Sequence, residues 1–236
     1  MLVLSRDNLE DLASSIIEDF YQGKALCLEP VNIEVLASEY LGLKVSYENL
    51  SSDGSILGVT AYAPCTLELT DSTVDLEANS VLLDLSLSPE IAKSPALIGR
   101  RRFTLAHECA HQILFRYESA IAQEEVRKQY ACRKSFSLRE LKSYEDWYEW
   151  QADTLGAALL MPEDLIKLAL FLCTNHGRIA RYGDWFPPSE YRHLDDISRM
   201  LGVSHSALLI RLSHLGYLDI RKRSEYIDDP LEVTAY

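Results

Sequence analysis

The sequence predicts an α+β fold that is mostly helical and has a small, mainly antiparallel sheet of three or four strands. Three observations support this. Apolar residues recur at helical spacing near both ends of the chain, β-rich runs are confined to residues 43–87, and 47% of the 236 residues are hydrophobic. That apolar content is enough for a core in one domain of ordinary size or in two small ones.

The chain is predicted to begin with two helices and to continue into the sheet. Helical spacing of apolar residues predicts a first helix over about 6–22, and a second helix follows Pro30 and ends near Gly42. The residues that follow alternate in polarity or are rich in β-branched and aromatic side chains. The predicted strands are 43–47, 56–62, 66–69 and 81–85.

Helices return after the sheet. Ser88-Pro89 and Ser94-Pro95 both have the pattern of an N-cap followed by proline, and one of them begins the next helix. Residues 117–143 are weakly periodic and give no clear element. A further helical pattern runs from Tyr144 and stops at Met161-Pro162, where another helix can begin.

The C-terminal part is predicted as a loop over 174–192 and two short helices at about 194–201 and 204–215. We therefore expect two domains. The first covers residues 1–192, and the second covers 193–236, with helix-turn-helix-like helices and a tail packed on the first.

The charge of the chain argues against nucleic acid as a partner. Twenty-three basic and 36 acidic side chains give a net charge of −13, which disfavours non-specific binding to nucleic acid and to anionic membranes. The helix-turn-helix-like pair carries no basic surplus, because two arginines balance two aspartates between residues 193 and 217. We expect this pair to be structural.

Other features of the composition indicate a cytoplasmic protein. The five cysteines are odd in number and contain no C-x-x-C pair, which disfavours disulfides and a zinc knuckle. No basic and apolar signal peptide is visible, and no apolar run reaches the roughly 18 residues of a membrane span.

The most informative motif is His107-Glu108-Cys109-Ala110-His111, which has the form H-E-x-x-H. Two residues four apart on a helix lie on one face, so both imidazoles can bind one metal ion. Glu108 lies beside that face, where it can transfer a proton as a catalytic base. The alternative is a buried helix whose histidines are satisfied by hydrogen bonds.

A catalytic zinc site needs a third protein ligand, and Glu149 is the best candidate. Glu149, Ala152, Asp153 and Gly156 share one helix face, and the two small residues allow a close approach to a neighbouring helix. Asp153 can accept a hydrogen bond from the far nitrogen of a ligand histidine and so fix the ring. The alternative for both acids is a solvated helix surface.

Residues 103–111 (FTLAHECAH) and 149–162 (EWQADTLGAALLMP) together resemble the ImmA/IrrE family of metallo-endopeptidases. The resemblance implies a zincin-like core, Zn²⁺ held at the positions of His107, His111 and Glu149, and Glu108 as the catalytic base. Two features depart from the family pattern: Leu155-Gly156 stands where Phe-Ala is usual, and the segment between the two motifs is longer than expected.

The resemblance also implies a function and partners. Family members are similar in role to regulators that cleave helix-turn-helix repressors, so we expect a zinc endopeptidase whose substrate is a regulatory protein. The alternative is a non-proteolytic regulator, or a toxin–antitoxin-type component, that uses the zinc fold to bind a protein or DNA. The presence of Glu108 favours the enzyme, because binding alone needs no general base. An oxyanion-stabilising side chain is expected but is not identified by the sequence.

Overall fold

The computed structural model describes residues 3–24, 27–51, 53–69, 72–132, 135–137, 146–174 and 177–226, with the backbone alone described at 129–132, 135–137 and 146. The chain forms two compact units. The first comprises Met1–Lys24 with Val31–Leu160, and the second comprises Ala25–Pro30 with Met161–Tyr236.

The first unit begins with two helical segments, as the sequence predicts. Helix α1 spans Arg6–Phe20, and Ser5 caps it by accepting a hydrogen bond from the backbone N–H of Asn8. Helix α2 spans Ile33–Val35 and continues as a π-helical turn over Leu36–Tyr40. The apolar faces of both segments are buried, which accounts for the helical spacing in the sequence.

A first three-stranded sheet follows. It contains β1 (Lys44–Glu48), β2 (Gly58–Ala61) and β5 (Ser80–Asp84), with β5 in the centre. Strand β1 pairs with β5 in parallel, and β2 pairs with it antiparallel. All five residues of β5 are buried, whereas β1 alternates between exposed and half-buried residues. This difference is the one expected between a central strand and an edge strand.

A second three-stranded sheet contains the remaining strands of this unit. Strand β3 (Cys65–Glu68) lies between β4 (Thr73–Leu76), which is antiparallel to it, and the short parallel strand β6 (Ser135–Ser137). The predicted single sheet is therefore divided in two. Strands β4 and β6 were not predicted, because four and three residues are too few to establish an alternating pattern.

Three further helices lie in the described part of the first unit: α3 (Pro95–Tyr117), α4 (Ala120–Cys132) and α5 (Asp146–Leu160). Of the two predicted N-caps, Ser94 is the one that begins α3, and its hydroxyl accepts a hydrogen bond from the backbone N–H of Leu97. Helix α5 packs against both α3 and α1. This packing makes α3 the central helix of the unit, with most of its length buried.

The second unit is a separate group of short elements. They are α6 (Glu163–Cys173), β7 (Ile179–Tyr182), α7 (Pro188–Leu201), α8 (His205–His214) and β8 (Leu218–Arg221). Strands β7 and β8 pair in parallel. The helix-turn-helix-like pair is thus α7 and α8, as the sequence predicts.

The predicted loop over 174–192 is wrong in two places. It contains strand β7, and α7 begins at Pro188 rather than near residue 194. In the sequence, the adjacent prolines Pro187 and Pro188 indicate a loop. Proline is also favoured in the first turn of a helix, and that is the position of Pro188.

The α+β class is confirmed, with helices predominant and small sheets. The predicted domain boundary lies between residues 192 and 193, whereas the chain passes from the first compact unit to the second between Leu160 and Met161. The domain boundary between residues 192 and 193 stays a prediction. None of the described helices combines the length and apolar character that a membrane crossing requires.

Candidate metal centre

Helices α3 and α5 pack so closely that Gly156 on α5 lies against the backbone of α3. A Cβ added to Gly156 on α5 would lie 3.1 Å from the carbonyl carbon and oxygen of Ala106 and 3.1 Å from the backbone nitrogen of His107. Ala152, one turn earlier on α5, is fully buried. The small-residue face noted in the sequence therefore lies against α3 at the level of the H-E-x-x-H motif, which brings the next side chains on that face within reach of the histidines.

The two histidines and Glu149 converge on one point. The Nε2 atoms of His107 and His111 lie 3.0 Å apart, and Glu149 places Oε2 3.2 Å from His107 Nε2 and Oε1 3.5 Å from His111 Nε2. One ligand atom from each residue lies within 4.8 Å of the other two. Zinc ligands at about 2.0–2.2 Å from a common ion have mutual separations of this order.

Asp153 holds the ring of His107 from the other side. Its Oδ1 lies 2.8 Å from His107 Nδ1. When Nδ1–H donates to this carboxylate, the lone pair of Nε2 faces Glu149 and His111, which is the tautomer that a metal ligand needs. The Asp153 side chain is 59% exposed, so water screens part of its charge.

The cluster also binds a proton strongly. Burial of His107 opposes protonation, but its hydrogen bonds to Asp153 and Glu149 outweigh burial and raise the pKa of the imidazole to about 10. Burial raises the pKa of the Glu149 carboxyl, and the imidazoles of His107 and His111 outweigh that effect and hold the pKa well below its usual range. The site therefore stabilises positive charge placed between its carboxylates.

One buried polar atom supports the fit of this set of residues to a metal ion. Glu149 Oε1, which faces His111 Nε2 at 3.5 Å, is buried without a hydrogen-bond partner. An uncompensated carboxylate oxygen is costly in a protein interior, and a cation bound between Glu149 and the two imidazoles removes that cost. Two imidazoles and one carboxylate are also the donor set of catalytic zinc sites that keep a position open for water.

Glu108 lies on a different face of α3, toward strand β2. Its side chain is buried, with 4% of the residue exposed. A Cβ at Gly58 on β2 would lie 2.7 Å from Glu108 Oε1 and 2.9 Å from Thr104 Cγ2. The Glu108 carboxylate, which is predicted to act as a base, is thus packed between α3 and the edge strand β2 of the first sheet.

Some contributors to the site gave no signal in the sequence. Gln112 on α3 is fully buried, and its Nε2 donates to Thr60 Oγ1 at 2.6 Å and to the Ala61 carbonyl at 3.1 Å. These bonds fix β2 against α3. Gly58 likewise appeared only as one residue of a β-rich run, because the sequence does not say which helix the strand faces.

Tyr148, His176 and His193 are side chains that could be considered for the oxyanion role. The Tyr148 hydroxyl donates to the backbone carbonyl of His111 at 3.4 Å, and its ring centroid lies 5.0 Å from that of His111. Tyr148 is buried and supports α3 from α5. His176 lies outside the described residues, and His193 belongs to the second unit.

With this geometry established, the chain can be compared with known families. Residues 98–213 match the Peptidase_M78 family model, described as the IrrE N-terminal-like domain. The chain carries an IrrE N-terminal-like domain. The match runs from the first turn of α3 to the end of α8 and includes both motifs, in agreement with the resemblance noted in the sequence. A comparison with curated proteins finds no match.

The match to the IrrE N-terminal-like domain supports a metallopeptidase of the IrrE/ImmA type, and a peptidase acts on a protein. The family also implies a metal ion, and His107, His111 and Glu149 are arranged to bind one. All three residues belong to the first unit, so the proposed ligand set is complete within it.

Proposed function

We propose that this protein is a zinc-dependent endopeptidase that hydrolyses a peptide bond in a regulatory protein, with Glu108 as the general base. The observation that carries the proposal is the convergence of His107, His111 and Glu149, whose ligand atoms lie within 4.8 Å of one another. The hydrogen bond that His107 Nδ1–H donates to the Asp153 carboxylate supports it, because it orients the first imidazole for a metal.

Zinc is the ion that this donor set favours. Two imidazoles and one carboxylate are nitrogen and oxygen ligands of intermediate softness, whereas Mg²⁺ and Ca²⁺ favour oxygen ligands alone. His107, His111 and Glu149 would hold the zinc ion, which would lower the pKa of a bound water molecule and polarise the scissile carbonyl.

The protein groups then perform the proton transfers. Glu108 accepts a proton from the attacking water as the oxygen forms its bond to the scissile carbonyl carbon. The same carboxyl group delivers that proton to the leaving amine when the C–N bond breaks. Glu108 follows His107 directly in the motif, and its carboxylate lies between α3 and β2. Its burial limits the side-chain orientations available to it.

We further propose that the substrate is a helix-turn-helix repressor and that the protein acts in the cytoplasm. DNA-binding repressors carry basic surfaces, and the net charge of −13 on this chain favours association with a basic protein over association with DNA. Helix α8 also argues against binding to DNA. Its Arg211 is 1% exposed and donates through Nε to the Met161 carbonyl at 2.9 Å, so it is not available to contact DNA phosphates.

The test is cleavage by the zinc-loaded protein and by its Glu108→Gln variant, measured on a mixture of peptides with mass spectrometry of the new N-termini. We expect the wild type to generate new N-termini. The variant should bind one zinc per chain, measured by elemental analysis, and should lose at least about 1,000-fold in rate because its amide cannot accept the proton.

The same variant can identify the substrate. Because it binds without cleaving, it should retain the protein that the wild type converts to fragments. Equal cleavage by the wild type and Glu108→Gln would show that Glu108 is not the base. Absence of cleavage by a fully zinc-loaded wild type on every peptide and on a retained repressor would support the non-proteolytic alternative.

A further inference from the structure

Strand β2 contacts the catalytic motif through its first residue, Gly58. The position that a Cβ would occupy at Gly58 is 2.7 Å from Glu108 Oε1, 2.9 Å from Thr104 Cγ2 and 3.0 Å from Glu108 Cγ. Real Cβ atoms do not approach other atoms this closely. The Glu108 carboxylate therefore occupies space that is available only because residue 58 has no side chain.

The strand is not free to move away from this contact. Thr60 and Ala61 lie two and three residues after Gly58 on β2. Gln112 on α3 donates through Nε2 to the side chain of Thr60 and to the carbonyl of Ala61. On its other side, β2 pairs with the central strand β5, and the Thr60 hydroxyl donates to the Ser80 carbonyl at 3.2 Å. A side chain added at Gly58 must therefore be accommodated by Glu108 and Thr104.

We propose that Gly58 is a positioning residue for the Glu108 carboxylate, an inference that rests on the proposed function. The absence of a side chain at position 58 sets how far Glu108 extends toward β2 and which orientation its carboxylate takes. General-base catalysis depends on that orientation, because the oxygen must lie within hydrogen-bond reach of the attacking water.

This contact differs from the other close glycine contact of the site. Gly156 lies against the backbone of Ala106 and His107, so it sets the separation of the two helices that bear the ligands. Gly58 lies against the end of a side chain that is not a ligand. A Cβ at Gly58 should therefore disturb the base and leave the metal ligands in place.

The first test is the Gly58→Ala variant loaded with zinc. We expect kcat to fall by about 100-fold, which is the effect of displacing a reacting group by about 1 Å, with KM and zinc affinity unchanged. The matched control is Val59→Ala on the same strand. Val59 belongs to the apolar cluster with Leu50 and Leu82, so its truncation destabilises β2 without reaching Glu108. Its kcat should stay within about twofold of the wild type.

The second test uses the metal-free protein and does not depend on activity. Gly58→Ala should lower the Tm by about 5 °C, because a buried methyl group is forced against Glu108. In a Glu108→Ala background the same change should lower the Tm by less than half as much. Equal Tm losses in the two backgrounds would overturn the proposal, as would a Gly58→Ala enzyme with wild-type kcat.

The two tests separate this proposal from the proposed function. If the wild type cleaves nothing, the endopeptidase function fails, and the Tm comparison still shows whether Gly58 and Glu108 are coupled. If the wild type cleaves and Gly58→Ala loses zinc affinity together with kcat, Gly58 acts on the ligands and the proposal is overturned.

Discussion

In the described part of the chain, histidines lie beside carboxylates in both units, but only in the first unit do three ligand atoms converge. In the first unit, His107, His111 and Glu149 converge from helices α3 and α5. In the second unit, Glu190 and His193 are three apart on the single helix α7, with Glu190 Oε2 and His193 Nδ1 3.7 Å apart. Both of these atoms are buried without a hydrogen-bond partner.

The two groups differ in the number of helices that supply their side chains rather than in the burial of those side chains. Two residues on one helix provide two ligand atoms, and a third must come from another element at close range. In the first unit Gly156 allows this, because α5 meets the backbone of α3. Among the side chains that the structure describes, His107, His111 and Glu149 form the one set of three histidine, cysteine or acidic residues with ligand spacing.

The largest expected effect comes from removing the ligand on the second helix. Glu149→Ala leaves two ligands, so we expect zinc affinity to fall by more than about 100-fold, beyond the loss produced by an outer-shell change. The matched variant is Glu190→Ala, which removes a carboxylate from the pair on α7 and should leave affinity unchanged. Competition with a chromogenic chelator measures both. A similar loss in the two variants would place zinc binding in both units.

A smaller effect is expected for the carboxylate that orients His107. Asp153→Asn keeps a hydrogen-bond acceptor near Nδ1 but removes its charge, so the imidazole becomes a weaker donor to the metal. We expect zinc affinity to fall by about 10-fold, at the low end of outer-shell effects, because the aspartate side chain is 59% exposed. Chelator competition again provides the measurement, and unchanged affinity would show that Asp153 does not support the ligand.

A further expected effect, on stability rather than on metal affinity, is a pH dependence of the metal-free protein. The pKa of His107 is raised to about 10 from an ordinary value near 6.5, so protonation of its ring stabilises the folded state. This contribution is complete below about pH 6.5 and is lost as the pH rises through 10. The free energy of unfolding, measured with urea, should therefore decrease between pH 7 and 10.

Two comparisons test the origin of that dependence. Zinc takes the place of the proton between His107 and Glu149, so the zinc-loaded protein should lack the decrease over this range. The metal-free His107→Ala variant should lack it as well. A decrease that persists in His107→Ala would assign the titration to another group.

Much of the first unit could be predicted from periodicity alone. Helix α1 and the helix bearing His107 and His111 both have apolar stripes, and the second of these helices begins at Ser94, one of the two caps predicted from the sequence. The short strands β4 and β6 could not be predicted, because pairing with β3 forms them rather than any pattern of their own. The start of α7 was also missed, since a proline pair is compatible with a loop and with a first helical turn.

The candidate site was predictable to a different degree for each residue. The spacing of His107 and His111 follows from helical geometry. Glu149 was selected because small residues share its helix face, and the structure places those small residues against α3. The roles of Glu108 and Asp153 stay predictions, although Asp153 does lie beside the imidazole that it was expected to orient.

The sequence by itself determined which residue types could form a site and on which helix faces they lie, because the helical repeat is a local property of the chain. Only the tertiary structure decided that α5 meets α3 at Gly156 and that β2 meets Glu108 at Gly58. Such approaches depend on the packing of elements far apart in sequence, which no local pattern encodes. A metal ion or a general base needs atoms placed to within about an ångström, and in the proposed site the close approaches at Gly156 and Gly58 leave room for that placement.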